Sequence, residues 1–120
     1  MKKINLAITG CMGRMGQQLI ESSQKDKSFK LITLTENKVI DKKIKGIKPD
    51  LNNMIAFKKV NVIIDFTIPK CTFEILRIAL KLKKRVVIGT TGFTQKEENL
   101  IKNYSKKIPI LKAGNMSVGI

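Results

Sequence analysis

The sequence predicts an α/β fold, a doubly wound parallel sheet with helices on both faces. Three observations predict it. Short, almost continuously apolar runs alternate with amphipathic stretches along the chain. A glycine-rich turn joins the first apolar run to the first amphipathic stretch. The length, 120 residues, suits one domain at the usual size of roughly 100–200 residues. Strands apolar on both sides are covered on both faces, and strand–helix alternation brings successive strands into parallel register.

Lys3–Thr9 reads as a buried strand. Arg14–Lys25 reads as a helix with Met15, Leu19 and Ile20 on one face, and Lys30–Glu36 as a second strand. Asn37–Lys59 is polar and poorly periodic, holds Gly46 and Pro49, and is predicted as loop with a short helix or strand. Asn61–Thr67 is a third strand. Pro69–Lys84 is a helix opened by proline, with Ile75, Leu76, Ala79 and Leu80 as its apolar stripe; proline suits a first turn because the N–H it lacks has no intrahelical partner there. Arg85–Thr90 is a fourth strand. Thr94 with Glu97 three residues on predicts a capping box that starts a helix over Thr94–Lys107. Pro109–Lys112 is a short fifth strand.

Composition excludes several classes. The chain has no histidine, the usual general acid or base near neutral pH, so a His-based triad and a His zinc site are excluded. Cys11 and Cys71 form no Cys-x-x-Cys pair. With only a short apolar run and no cleavage site at the N-terminus, they read as reduced thiols of a cytoplasmic protein. No apolar stretch approaches the ~20 residues of a membrane span, so no membrane partner is expected. The net charge of +15 suggests nucleic acid. Its make-up argues otherwise: 21 lysines against 3 arginines, alongside 18 isoleucines, is the signature of A- and T-rich codons. The lysines are scattered rather than gathered in a stripe. Aromatics are 5% with no tryptophan, so no stacking platform for single strands is present. No specific nucleic-acid partner is expected.

The chemistry-bearing string is Gly10-Cys11-Met12-Gly13-Arg14-Met15-Gly16, between the first strand and the first helix. Gly10 permits the tight turn, Gly13 lets the backbone approach a pyrophosphate, and Gly16 allows close helix–strand packing. The helix start adds free N–H groups and a positive dipole end. The spacing is G-x-x-G-x-x-G, with Met12 where glycine is more common. Glu36 ends the second strand, 20 residues after Gly16, where a carboxylate accepts hydrogen bonds from an adenosine ribose. This is the pattern of a Rossmann-type dinucleotide site for NADH or NADPH. The plainer readings are an ordinary strand–helix turn and a solvated carboxylate. Glu36 favours NADH, because it repels a 2′-phosphate; Arg14 and Lys38 offer charge that offsets the repulsion. Arg14 reads either as a phosphate partner or as a solvated first-turn residue.

Three more strings complete a family pattern: Asp65-Phe66-Thr67-Ile68-Pro69, Gly89-Thr90-Thr91-Gly92, and Ala113-Gly114-Asn115-Met116-Ser117-Val118-Gly119. Each falls at the carboxyl end of a predicted strand. With the glycine loop and Glu36, the chain resembles the nucleotide-binding domain of the dihydrodipicolinate reductase family along its whole length. The resemblance implies NAD(P)H-dependent reduction of 4-hydroxy-tetrahydrodipicolinate in lysine and diaminopimelate synthesis. It implies a cofactor site of Gly10, Cys11, Met12, Gly13, Arg14, Met15, Glu36 and Asn37, with Gly89, Thr90, Thr91, Ala113, Gly114, Asn115 and Met116 on the nicotinamide side. Asp65 reads as a helix-capping or loop-ordering carboxylate, and Cys71 as a core residue. Two departures stand out: Asn37 replaces the family's frequent basic residue after the ribose-binding acid, and Met116 replaces its frequent phenylalanine. The family's His-His-x-x-x-Lys and Ser-Gly-Thr segments, which bind the substrate carboxylates and supply a proton, are not found in these 120 residues.

The expected organisation is therefore an NAD(P)-binding domain over 1–114, with 115–120 as the start of a crossover into a substrate domain missing from this chain. The chain reads as a truncated form carrying the cofactor half and no catalytic residue or metal site. The substrate is expected to be a small-molecule dicarboxylate, and the full-length form a homo-oligomer. The rival readings are a stand-alone dinucleotide-binding remnant without catalysis and a basic nucleic-acid-binding domain.

Overall fold

A computed structural model describes residues 3–112. Its elements run β1 (Ile4–Thr9), α1 (Arg14–Lys25), β2 (Phe29–Glu36), β3 (Asp50–Leu51), α2 (Met54–Phe57), β4 (Val62–Asp65), α3 (Pro69–Leu82), β5 (Arg85–Ile88), α4 (Gln95–Ser105) and β6 (Ile110–Lys112). The strands form one sheet in the order β3-β2-β1-β4-β5-β6, and every pairing is parallel. The order reverses between β1 and β4. At such a reversal open parallel sheets place their ligand crevice, at the carboxyl ends of the strands.

Side chains alternate across the sheet, and the core divides accordingly. Leu6 and Ile8 of β1 pack with Cys11, Ile20 of α1 and Leu34 of β2. Ala7, on the opposite face, joins Ile63, Val86 and Ile88 against Phe57 of α2, Ile75, Leu76 and Ala79 of α3, and Ile101 of α4. Both faces thus carry helices, one on the first and three on the second. Among the described residues no helix is long and apolar enough to cross a membrane.

The differences from expectation are one added strand and several element ends. The polar segment before β4 contains both a strand and a helix, which makes six strands rather than five. β3 is two exposed residues long, too short for any periodicity, and exists through its pairing with Thr35 and Glu36. The third strand ends at Asp65 rather than Thr67, because the Thr67 N–H donates to the Thr90 hydroxyl (2.8 Å) instead of a ladder carbonyl. The fourth ends at Ile88 rather than Thr90. α3 stops at Leu82, where Lys83 turns left-handed (φ 59°) and the Lys84 N–H returns to the Ala79 carbonyl (2.9 Å). The capping box of α4 forms as its sequence predicts: the Thr94 hydroxyl accepts from the Glu97 N–H (3.1 Å) and the Glu97 carboxylate from the Thr94 N–H (2.8 Å).

α1 is held on β1 by Gly16, where an added Cβ would lie 2.3 Å from the Gly10 carbonyl oxygen. Backbone cannot yield as a flexible side chain does. Gly16→Ala is therefore expected to lower stability by about 1–3 kcal/mol, the range for overpacking. Urea unfolding followed by circular dichroism measures it, and an unchanged midpoint would show that α1 does not depend on this contact.

Candidate functional site

The loop after β1 begins at Gly10, whose φ of 62° lies in the left-handed region where a Cβ is disfavoured. A Cβ there would also lie 2.6 Å from the Phe66 carbonyl oxygen, so the loops after β1 and β4 touch at this point. The Gly13 N–H closes the turn on the Gly10 carbonyl (3.0 Å). Gly13 is the N-cap of α1 and provides no side-chain acceptor. The first-turn N–H groups and the positive end of the helix dipole therefore meet no side chain of their own, the arrangement that binds phosphate.

Glu36 stands at the end of β2, beside this loop. One carboxylate oxygen accepts from the Met12 N–H (2.9 Å) and the other from the Asn37 N–H (3.1 Å). Two main-chain donors thus fix its orientation, while each oxygen keeps a second lone pair for a further donor. A cavity of about 270 Å³ opens here between Gly10, Gly13, Glu36, Asn37, Thr67 and Ile68. It adjoins a second, about 420 Å³, bounded by Glu36, Asn52, Ile68, Lys70 and Glu74. Asn37, Asn52, Ile68 and Cys71 line both, so together they form one groove from the glycine loop past Glu36 to α3. The Asn52 Oδ1 is buried with no hydrogen-bond partner, an unused acceptor in the wall of the groove.

At the other side of the crevice Asp65 is fully buried. Its Oδ1 accepts from the hydroxyls of Thr9 (2.6 Å) and Thr67 (2.7 Å), and its Oδ2 from those of Thr72 (2.5 Å) and Thr90 (3.1 Å). The structure gives Asp65 the loop-ordering role, not a cap. The Phe66 ring covers Gly89, where an added Cβ would fall 2.0 Å from the ring. Phe93 then packs edge-on against Phe73, ring centroids 6.0 Å apart, and Lys112 lies over the Phe93 ring.

The structure thus brings Gly10, Met12, Gly13, Arg14 and Met15 together with Glu36 and Asn37 at one end of the crevice, and sets Gly89, Thr90 and Thr91 across from them. Two side chains sit differently from what a cofactor contact requires. Cys11 is buried in the core beneath the loop, and its N–H donates to the Thr35 carbonyl (3.2 Å). Thr90 is 4% exposed and its hydroxyl is engaged on both sides, by Asp65 and by the Thr67 N–H. Thr91, by contrast, is exposed. Ala113, Gly114, Asn115 and Met116 lie outside the described residues, as do Ser117 and the expected crossover. Sequence reading missed Asn52, Ile68, Lys70 and Glu74. Lys70 and Glu74 are ordinary exposed-face residues of a helix, and Asn52 sits in a segment without periodicity, so none carried a local signal. Among the described residues no group of three or more His, Cys, Asp or Glu could hold a metal ion.

Comparison with known proteins places the site in context. Residues 4–116 match the family model described as dihydrodipicolinate reductase, N-terminus. The chain is 72% identical over its full length to 46% of a 4-hydroxy-tetrahydrodipicolinate reductase of Pelagibacter ubique (strain HTCC1062). It is 40% identical, over 99% of its length, to 48% of the enzyme of that name from Buchnera aphidicola subsp. Acyrthosiphon pisum (strain Tuc7). It superposes, with a TM-score of 0.79 and 26% identity, on a dipicolinate-bound dihydrodipicolinate reductase from Paenisporosarcina sp. TG-14, covering 98% of this chain and 49% of that one. The chain spans about half the length of the curated relatives it matches.

Burial beneath the loop, with the Glu36 carboxylate nearby, pushes the Cys11 thiol from 9.0 up to about 11. Both effects disfavour the thiolate. Because the folded value is the higher, the stability tied to this thiol is complete below pH 9 and is lost as pH rises through about 11. Urea midpoints measured at pH 8 and pH 11 are therefore expected to fall further in the wild type than in Cys11→Ala. Equal falls would show that the thiol is free to ionise in the folded chain.

Proposed function

The chain belongs to the dihydrodipicolinate reductase family, over its N-terminal region, and on that premise we propose that it is the cofactor-binding half of a reductase acting on 4-hydroxy-tetrahydrodipicolinate with NADH or NADPH. Residues 1–114 form the NAD(P)-binding domain in this reading, and 115–120 begin the crossover to a domain that binds the dicarboxylate substrate. The observation that carries it is the Glu36 carboxylate, held by the Met12 N–H (2.9 Å) at the edge of a glycine loop and an uncapped helix start. An open helix start that offers N–H donors and a carboxylate that offers acceptors, side by side at the switch point of a parallel sheet, match the pyrophosphate and ribose of one dinucleotide.

The residues fit such a group. The helix start and the bare loop at Gly13 hold the pyrophosphate through main-chain N–H groups. The second lone pairs of Glu36 accept from the adenosine ribose hydroxyls. The groove along Asn37, Asn52, Ile68 and Lys70 takes the adenine end. The backbone of Gly89, Thr90 and Thr91 faces the nicotinamide end, to which the family resemblance also assigns Ala113–Met116. The cofactor supplies the hydride; these residues orient it and keep water from it. Glu36 favours NADH, and Lys70, which lines the groove with Glu36, offers positive charge that lets NADPH bind as well.

Calorimetric titration tests the assignment. Gly13→Asp puts a carboxylate against the pyrophosphate and is expected to abolish binding of NADH. Glu36→Ala is expected to weaken NADH about tenfold, since a hydrogen bond to a charged group contributes roughly 1.5–3 kcal/mol, and NADPH much less, because it lacks the ribose hydroxyl concerned. Full NADH affinity in Gly13→Asp would refute the site, and equal losses for both cofactors would reduce Glu36 to a structural role.

The 120 residues taken alone are expected to show no useful turnover. They contain no histidine, and general acid catalysis alone is typically worth ~10²–10⁴ in rate. A coupled assay with dihydrodipicolinate synthase product and NADPH measures it. Turnover within tenfold of a full-length relative would show that the 120 residues hold the proton donor as well.

A further inference from the structure

The loops that face the nicotinamide end in this reading are tied together through Asp65, the last residue of β4. Its carboxylate accepts four hydroxyl donors, two on each oxygen, from the end of β1, the loop after β4, the second turn of α3 and the loop after β5. Two donors on each oxygen fill the lone pairs of the carboxylate. The Thr90 hydroxyl is the link that reaches the crevice. It gives its only hydrogen to Asp65 and receives the Thr67 N–H (2.8 Å), so the loops after β4 and β5 are locked together. The Gly89 N–H, bound to the Asp65 carbonyl (2.8 Å), adds a second tie to the same residue. Of the residues in these bonds only Thr67 also lines the groove beside Glu36, and Glu36 itself is held by the Met12 and Asn37 N–H groups instead.

We propose that Asp65 is a positioning residue for the nicotinamide end of the bound dinucleotide. By orienting the Thr90 hydroxyl it fixes the main chain of Gly89–Thr91, which meets the ring, while the adenosine end is bound independently of it. The proposal rests on the dinucleotide reading above. It adds a division of the site into two halves that separate mutations can uncouple. A purely structural role for Asp65 would weaken both halves together.

The test compares two ligands on each variant of the full chain: NADH, and ADP-ribose, which keeps everything but the nicotinamide. Dissociation constants come from calorimetry, with a thermal melt of each sample to verify folding. The wild type is expected to bind NADH more tightly than ADP-ribose. In Asp65→Asn that advantage is expected to shrink about tenfold, with ADP-ribose affinity changed less than about twofold. Thr90→Val removes only the linking hydroxyl and is expected to do the same; Thr90→Ser, which keeps it, restores the advantage. Should Asp65→Asn fail to fold, the Thr90 pair decides the matter. Proportional losses of both ligands, or an undiminished NADH advantage in Thr90→Val, would overturn the proposal and leave the dinucleotide reading standing. Equal wild-type affinities for the two ligands would do so too. A wild type that binds neither ligand would overturn both.

Discussion

A buried carboxylate is costly unless every lone pair finds a donor, and the Asp65 carboxylate finds four. The donors are all threonine hydroxyls, which are neutral, so no cation is buried with it. Much of the carboxyl edge of the sheet follows from this requirement. β1 must end in a threonine turned toward β4, α3 must carry a threonine on its inner face, and the chain after β5 must bring Thr90 back under β4. The early end of β4 follows as well, since the Thr67 N–H is committed to Thr90 rather than to a neighbouring strand. Partly satisfied, such a network would be worse than an apolar core; fully satisfied, it favours one arrangement of three loops.

The opposite side of the crevice obeys a different rule. There the donors are left open rather than saturated. The start of α1 has no side-chain cap, whereas α4 closes its own start with Thr94 and Glu97. Glycine at the N-cap of α1 costs only a few tenths of a kcal/mol relative to a capping side chain, a small penalty for a surface of free N–H groups. Glu36 uses one main-chain donor of the loop and so fixes its own position beside the rest. A negative group near a phosphate site is unfavourable in isolation; at the end of the next strand it lies where the ribose, not the phosphate, of a dinucleotide falls.

The glycines divide between these two sides by what each must avoid. Gly16 avoids the Gly10 carbonyl and so sets how close α1 lies to β1. Gly89 avoids the Phe66 ring and so lets the loops after β4 and β5 interlock. Packing at both places is governed by backbone or by a large ring, neither of which moves easily. The +15 charge plays no visible part in either. The ion pairs found among the described residues, such as Lys45 with Glu21 and Lys48 with Asp41, are solvent-exposed and contribute little to stability.

Much of this was legible in the amino-acid order because its causes are local. The span of α1, Arg14–Lys25, follows from its apolar periodicity and the glycine before it, and its limits agree with the structure. The capping box at Thr94 needs only residues three apart. The glycine loop and Glu36 are spaced by the length of one helix and one strand, so their meeting could be expected. What the sequence could not determine depends on residues far apart in the chain. Thr9, Asp65, Thr67, Thr72 and Thr90 span 81 positions, and nothing in any one of them signals that four hydroxyls will share one carboxylate. Asn52 reaches the groove only because β3, two residues long, pairs with the end of β2; a strand that short has no periodicity to read. Hydrogen bonds across a sheet edge are settled by which strands lie side by side, and that is a property of the assembled sheet rather than of any segment within it.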